Sequence, residues 1–342
     1  MSDQIQTPVG IVPSVDGNWR AGDWLGAALA RCAMGRMNYA VEPGLYALGH
    51  PTPESPALVS ANYKLSFDHL RRSMAGRDAW ILVLDTKGIN VWCAAGKGTF
   101  GTEEVVARVQ ASRLADVVSH RTLVLPQLGA PGVSAHQVRE ATGFRVVYGP
   151  VRAADLPAFL DAGMTATPEM RCVRFGLRDR LVLVPVEVVM GAKYALIIAL
   201  ALFLLGGLGP GGWAMARLLS VGLRNAVLLL VTFLASAALT PALLPWLPGR
   251  AFSLKGAWVG LALDAGLLLF LSGHAGYFGG RVATAGWLLM IPAVASFLAM
   301  NFTGASTYTS LSGVQKEMRT AVPLQAACAL LGAGLWLAGR FV

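Results

Sequence analysis

One segment of the sequence combines a single cysteine with small residues, a composition that suits a ligand-contacting turn. Cys93 stands beside a tryptophan and is followed by Ala94, Ala95 and a Gly-Lys-Gly turn. A helical turn that begins near Asn90, a residue that favours the N-cap position, would point the thiol toward a ligand crevice. The alanines and Gly96 would leave room for a large flat ligand. A lone cysteine beside tryptophan is usually a small buried side chain, so that alternative stays open.

A nucleotide-binding P-loop is a second interpretation of the same glycines, and the sequence excludes it. That motif needs four residues between its first glycine and the Gly-Lys pair, followed by Ser or Thr. Here seven residues separate Gly88 from Gly96, and Gly98 follows Lys97. Lys97 could neutralise an anionic ligand group or simply solvate a turn, and both interpretations remain open.

The cysteine pattern limits the other metal chemistry. Cys32, Cys93, Cys172 and Cys328 lie far apart, and no CxxC pair is present. The spacing argues against a disulfide framework, a zinc site or an iron–sulfur cluster held by this chain. We therefore expect any cysteine chemistry to use one thiolate, with the other three cysteines packed.

Composition and charge point to a membrane. Of 342 residues, 55% are hydrophobic and 14% are charged, whereas soluble domains average about 25% charged residues. Up to Arg174 there are 17 basic and 15 acidic residues, and from Phe175 onward 11 and 4. The excess of basic residues in the apolar half suits anionic lipid headgroups. It is not the footprint of a nucleic-acid-binding protein, so we expect membrane lipid and no nucleic acid as a partner.

The first half alternates short apolar runs with amphipathic stretches. In the segment before them, Trp24–Arg36 could form a helix that covers part of this domain. The alternation predicts an α/β domain of the Rossmann or flavodoxin-like type, with a parallel sheet whose strand ends bind the ligand. The predicted strands are Ala57–Ser60, Ala79–Leu84, Thr122–Leu125 and Arg145–Tyr148, and the predicted helices are Ser66–Met74, Thr102–Ser112, Ala135–Thr142 and Asp155–Ala162.

The second half predicts an all-α domain of five transmembrane helices. Each candidate is close to the ~20 residues that cross a bilayer. They are Met190–Leu208, Arg224–Leu244, Ala257–Gly273, Val282–Phe302 and Ala321–Phe341. We expect a domain at 1–175, a linker at 176–189 and a transmembrane domain at 190–342.

The sequence start does not have the pattern of a signal peptide. With the first domain in the cytoplasm, eight basic residues flank the spans inside and four outside, which predicts a multi-pass protein of the cytoplasmic membrane.

Four segments carry a resemblance to known families. Asn90-Val-Trp-Cys-Ala-Ala-Gly-Lys97 resembles the cap-helix motif of the mercury-methylating corrinoid protein family (HgcA), and this likeness extends over the five-span tail. The first half is also similar to the corrinoid domain of the corrinoid iron–sulfur protein. The shared segments are Leu58-Val-Ser-Ala-Asn-Tyr-Lys-Leu65, Leu125-Pro-Gln-Leu-Gly-Ala-Pro-Gly-Val133 and Val147-Tyr-Gly-Pro-Val-Arg152.

The resemblance implies a cobalamin-type corrinoid as cofactor and assigns residues to it. Cys93 matches the lower axial ligand of cobalt and is the implied catalytic and metal-binding residue. The implied corrinoid contacts are Ser60, Asn62, Asn90, Val91, Trp92, Cys93, Ala94, Ala95, Gly96, Lys97, Gly98, Gln127, Leu128, Gly129, Ala130, Pro131, Gly132, Val133, Tyr148, Gly149, Val151 and Arg152.

Thiolate ligation suits a methyltransferase that forms methylmercury. The Asp-x-His-x-x-Gly pattern, in which histidine binds cobalt, is missing because Asp68-His69 has no spacer. A thiolate donates more electron density than imidazole and should favour release of a methyl carbanion to soft Hg(II). Two electrons must then return Co(III) to Co(I). The resemblance implies that a ferredoxin-like partner with two 4Fe–4S clusters (HgcB-like) supplies them, and we expect a separate methyltransferase to supply the methyl group.

Two other functions are weighed against this one. The first is a membrane-bound corrinoid methyl carrier of the acetyl-CoA pathway, which the membrane tail disfavours. The second is a corrinoid or metal transporter, which is disfavoured because the spans have no evident internal repeat or line of polar residues. Asp264 lies within the third span, where ionisable groups are often functional, although a packing hydrogen bond is the simpler interpretation.

Overall fold

The computed structural model describes residues 4–272, 277, 280–305 and 311–342. The chain divides into two compact units, Met1–Arg174 and Phe175–Val342, here called the α/β half and the membrane half. The segment predicted as a linker, 176–189, contains helix α8 (Leu177–Leu181) and the first turns of helix α9 (Val184–Leu205).

The α/β half is built on one seven-stranded sheet. Its strands are β1 Gln4–Thr7, β2 Gly10–Val15, β3 Gly44–Leu48, β4 Ala57–Ala61, β5 Ala79–Leu84, β6 Thr122–Leu125 and β7 Arg145–Tyr148, in the order β1-β2-β3-β5-β4-β6-β7. The four predicted strands are present, and they pair in parallel as β5-β4-β6-β7. The predicted α/β fold is therefore confirmed. Strands β1 to β3 were not predicted, and the antiparallel β3–β5 and β1–β2 pairs make the sheet mixed.

Helices cover the sheet. They are α1 Ala21–Arg31, α2 Lys64–Ser73, α3 Val91–Lys97, α4 Thr102–Ala111, α5 Leu114–Val117, α6 Ala135–Thr142 and α7 Leu156–Asp161. All six residues of β5 are buried, and separate apolar clusters pack on the two sides of the sheet. Burial on both faces is typical of parallel strands and explains their continuous apolar runs.

Helix α1 is held to α2 by a buried ionic network. Lys64 Nζ lies 2.7 Å from Asp23 Oδ1 and 2.6 Å from Asp68 Oδ2. Arg71 contacts the same two carboxylates at 2.7 and 2.8 Å. Burial opposes ionisation of Asp23, but hydrogen bonds from Lys64, the Arg20 amide and Arg71 outweigh it and hold the pKa of Asp23 well below its usual range. Asp68 is therefore occupied by this network and is not part of a ligand site.

The described part of the membrane half has five helices long and apolar enough to cross a bilayer, as predicted. The long helices, with the short α10, are α9 Val184–Leu205, α10 Met215–Arg217, α11 Leu223–Leu243, α12 Phe252–Ser272, α13 Arg281–Asn301 and α14 Leu311–Ala338. Gly273, the predicted end of the third span, lies outside the described residues. Helix α11 contains Pro241 and ends at Leu243, before Pro245.

Two basic residues near the span ends donate hydrogen bonds to carbonyl groups at the end of α11. Arg180 donates hydrogen bonds to the carbonyls of Pro241 and Ala242 at 2.9 and 2.7 Å. Lys255 Nζ donates to the Leu244 carbonyl at 2.8 Å. These carbonyls lie at the end of α11 and have no amide partner within the helix. The two side chains therefore cap α11, besides their contribution to the charge bias.

One expectation about the membrane half was wrong. No line of polar residues was evident from the sequence, yet one face of α11 carries Asn225, Thr232, Ser236 and Thr240, all buried. Sequence inspection missed this line, here called the polar stripe, because its members are separated by three to six apolar residues. Only the helical period brings them onto one face.

Candidate functional site

The strand order reverses between β4 and β6, and a cleft opens there. In open α/β sheets, ligands bind at this switch point, outside the carboxyl ends of the strands. The cleft has a volume of about 320 Å³ and a mostly apolar lining. Residues from the ends of β4, β6 and β7 and from the start of α3 contribute, among them Ser60, Asn90, Val91, Trp92, Leu128, Gly149 and Val151. Seven of the predicted ligand contacts thus share one cleft.

The loop between β5 and α3 is fixed by Asn62. This buried side chain follows β4, and its Oδ1 accepts hydrogen bonds from the Thr86 amide at 3.1 Å, the Thr86 hydroxyl at 2.8 Å and the Gly88 amide at 3.0 Å. Lys87 and Gly88 both have positive φ, so the loop makes a tight turn. The Asn62 oxygen is therefore used to position the loop that leads to α3. Thr86, fully buried, is a positioning residue that the sequence did not reveal.

Helix α3 carries the predicted thiol on an exposed face. Asn90 is the N-cap, as expected, and its Oδ1 accepts a hydrogen bond from the Cys93 amide at 2.9 Å. Trp92, Cys93, Gly96 and Lys97 are all exposed, and spacings of three and four residues put them on one face. Cys93 is thus exposed rather than packed in the core, and the residues just before it line the cleft.

The two alanines of the motif lie in the core. Ala94 and Ala95 are buried, and their expected contact with a corrinoid stays a prediction. Their small size lets α3 lie close to the following loop. Gly96 differs, because a Cβ atom there would have no neighbour within 4 Å. Gly96 therefore leaves open space one helical turn from Cys93. Gly98 ends the helix with a left-handed φ of 81°.

The loop after β6 packs against α3. A Cβ atom on Gly132 would overlap the Phe100 carbonyl oxygen, and one on Gly129 would overlap the Phe100 ring. Both glycines are thus required by close packing, whatever they contact in addition. Val133 is buried and Ala130 half-buried, whereas Pro131 is exposed.

The loop after β7 is tied down from two sides. The Tyr148 hydroxyl donates a hydrogen bond to the Val133 carbonyl at 2.6 Å, and burial raises the pKa of Tyr148. Arg171 donates to the Tyr148 carbonyl at 2.9 Å and to Gln127 Oε1. Arg152 is exposed, and its Nη2 lies 3.4 Å from the Arg174 carbonyl. Arg171 was not predicted, because only the fold brings residue 171 to the ends of β6 and β7.

Two polar residues of α2 also line the cleft without having been predicted. They are Ser66 and His69. Burial, together with the nearby charges of Arg31 and Arg72, lowers the pKa of His69. The helical spacing of Ser66 and His69 was the available signal, since residues three apart share a face. Among the described residues, no group of three or more His, Cys, Asp or Glu side chains is placed to hold a metal ion.

Comparison with known proteins finds similarity in the α/β half. Residues 34–160 match the family model of the CO dehydrogenase/acetyl-CoA synthase delta subunit. Among curated proteins, the acetyl-CoA decarbonylase/synthase complex subunit gamma of Methanopyrus kandleri is 37% identical over 123 residues, 35% of this chain and 26% of that protein. The subunits gamma of Archaeoglobus fulgidus and Methanocaldococcus jannaschii are 30% and 32% identical over 123 and 127 residues. The chain thus spans about a quarter of the length of these relatives.

Proposed function

We propose that this chain is a membrane-anchored corrinoid protein that transfers a methyl group to Hg(II), with the Cys93 thiolate as the lower axial ligand of cobalt. The observation that carries the proposal is the exposed thiol of Cys93, held on a capped helix beside the switch-point cleft. A bound corrinoid would supply a methyl group on cobalt, and the electron-rich Cys93 thiolate would favour release of that group with its bonding electrons to a soft acceptor.

The residues around Cys93 fit a large flat cofactor. Gly96 leaves the helix surface open, and Trp92 offers an exposed aromatic face beside the thiol. Asn90 fixes the direction of the first turn, and Asn62 fixes the loop before it. The apolar cleft could hold an apolar part of the cofactor. Lys97, exposed on the same face, can pair with an anionic side chain of the cofactor.

The proposed reaction needs two partners. A ferredoxin-like protein with two 4Fe–4S clusters would return electrons to the cofactor, and a methyltransferase would deliver the methyl group. Both partners would have to reach the bound cofactor. We place this half in the cytoplasm, with the five helices in the cytoplasmic membrane, on the basis of the charge bias of the span ends.

The proposal is tested by replacing Cys93 with alanine in the full chain. Cys172 is also exposed, so C172A is the matched control. We expect C93A to lose methylmercury formation and the spectroscopic signature of thiolate-bound cobalt, and C172A to keep both. Absorption and EPR spectra of the corrinoid-loaded proteins provide the measurement. Wild-type spectra and activity in C93A would overturn the axial-ligand role.

A second candidate is favoured by the comparisons. The matched relatives are subunits of an acetyl-CoA decarbonylase/synthase complex, which suits a corrinoid methyl carrier of acetyl-CoA metabolism. The two functions differ in the acceptor. Methyl-loaded protein should transfer its group to Hg(II) and not to acetyl-CoA synthase with its carbon monoxide dehydrogenase partner. The reverse result would favour the methyl carrier. The C93A spectra would then still test whether Cys93 binds cobalt, because that role does not depend on the methyl acceptor.

A further inference from the structure

Asp264 carries a carboxyl group that is buried inside a membrane span. It lies near the middle of α12 and is 6% exposed. Its Oδ1 is buried and has no hydrogen-bond partner in the described part of the chain. The packing hydrogen bond that would have explained this residue is therefore not made by that oxygen.

The helices next to Asp264 carry few charged residues, and the nearer arginine, Arg224, donates a hydrogen bond to the Tyr277 carbonyl at 3.0 Å. Helices α11 and α13 pack against α12. The charged residues in their described ranges are Arg224 and Arg281, each at the start of its helix, and neither helix contains another titratable side chain. Lys255 of α12 is nine residues away, about 13 Å along the axis, and caps α11. Since an isolated carboxylate is unfavourable in an apolar interior, the neutral, protonated form is the one that fits.

The polar stripe on α11 extends through most of the thickness of the hydrocarbon core. Its residues follow one another at spacings of seven, four and four positions and cover about 22 Å of a ~30 Å hydrocarbon core. Three of the four have a buried atom with no partner: Asn225 Nδ2, Ser236 Oγ and Thr240 Oγ1. Buried polar groups in a span need partners, and ordered water supplies both donors and acceptors.

Packing against α13 sets the depth of Asp264. Asn225 of α11 accepts a hydrogen bond from Trp287 of α13 at 3.0 Å. Gly260 of α12 packs against Pro292 of α13. Because α12 and α13 run in opposite directions, Asp264, one turn beyond Gly260, lies between the levels of Pro292 and Trp287. This depth falls within the gap between the first two members of the polar stripe.

We propose that Asp264 is a proton-binding site and that it exchanges its proton through water held along the polar stripe. At its depth, the carboxyl group would lie beside the apolar residues between Asn225 and Thr232. The hydroxyls of Ser236 and Thr240 would then hydrogen-bond the next water molecules along α11. The site is independent of the proposed methyl chemistry, because it involves no residue of the α/β half.

Infrared difference spectroscopy on the full chain in lipid nanodiscs tests the site. We expect wild type minus D264N to show a protonated carboxyl stretch at neutral pH that shifts on transfer to D₂O. D264E should move this band without abolishing it, which guards against a folding defect in D264N. An ionised carboxylate in the wild type at neutral pH would overturn the proposal.

The route is tested separately from the site. The double variant S236A/T240V removes two hydroxyls at nearly constant volume, and S272A, at an exposed serine of α12, is the control. We expect the double variant to slow deuteration of the Asp264 carboxyl by at least about tenfold. Loss of the two hydroxyls would leave a stretch without hydrogen-bonded water, and a rise of about 1.4 kcal/mol in the barrier slows a step tenfold. Equal rates in the double variant and the control would exclude the stripe as the route, and a carboxyl that never deuterates would exclude exchange.

Discussion

The two halves of the chain treat buried polar groups in opposite ways. In the α/β half, Asn62 accepts three hydrogen bonds and Asp68 contacts two cations. Among the described residues, seven buried side-chain atoms lack a partner, and all seven belong to the membrane half. Paired polar groups fix a geometry, as a cofactor site requires. Unpaired ones could bind water, as the proposed proton route would require.

The largest loss of stability should follow from removing the side chain of Asn62. In N62A the Thr86 amide and hydroxyl and the Gly88 amide lose their acceptor, and each buried group left unsatisfied costs about 1–3 kcal/mol. We expect the opening free energy of the β4 and β5 amides to fall by about 3 kcal/mol, measured by native-state hydrogen exchange. N18A, at an exposed asparagine, should be neutral. Equal exchange rates in N62A and N18A would show that the hydrogen bonds of Asn62 do not stabilise the α/β half.

Two glycines beside the thiol should respond differently to an added methyl group. In G132A the new Cβ overlaps the Phe100 carbonyl, and overpacking of this kind costs about 1–3 kcal/mol. In G96A the Cβ meets open space, and alanine stabilises a helix interior by up to about 1 kcal/mol relative to glycine. Hydrogen exchange of the α3 amides provides the measurement. A loss of stability in G96A would show that the surface at Gly96 is not open.

A pH change should loosen the ionic network before it affects the sheet. The pKa of Asp23 is lowered in the folded protein, so its contribution is present above the ordinary value of about 4 and is lost as the pH falls toward the folded value. We expect the α1 amides to lose protection below about pH 4, while β5 keeps its own. D23N should remove this pH dependence. If the protection of the α1 amides in the wild type did not depend on pH, ionised Asp23 would not be what holds α1.

The smallest effect should come from Ser236. Its buried hydroxyl has no partner among the residues that the structure describes, so we expect S236A to change stability by less than about 0.5 kcal/mol. Thermal unfolding in nanodiscs provides the measurement, with N62A as the contrast. A loss as large as that of N62A would mean that Ser236 is paired after all.

Local patterns predicted the parts of the candidate site that depend on neighbours in sequence. The apolar runs predicted β4 to β7, and the side chain of Asn90 predicted the cap that orients Cys93. The pattern did not reveal that Ala94 and Ala95 are buried, because small residues suit either an open ligand face or a close helix contact. It also missed Thr86 and Arg171, whose partners are 24 and 44 residues away.

What the sequence determined by itself is the set of elements: strand runs, capped helices and five apolar spans, each specified by residue types within a few positions. The tertiary structure alone decided which faces are used. Strand order put β4 beside β6 and opened the cleft, and helix packing buried the polar stripe and Asp264. The physical reason is that propensity and periodicity act over one or two turns, whereas burial depends on what the rest of the chain brings to each face.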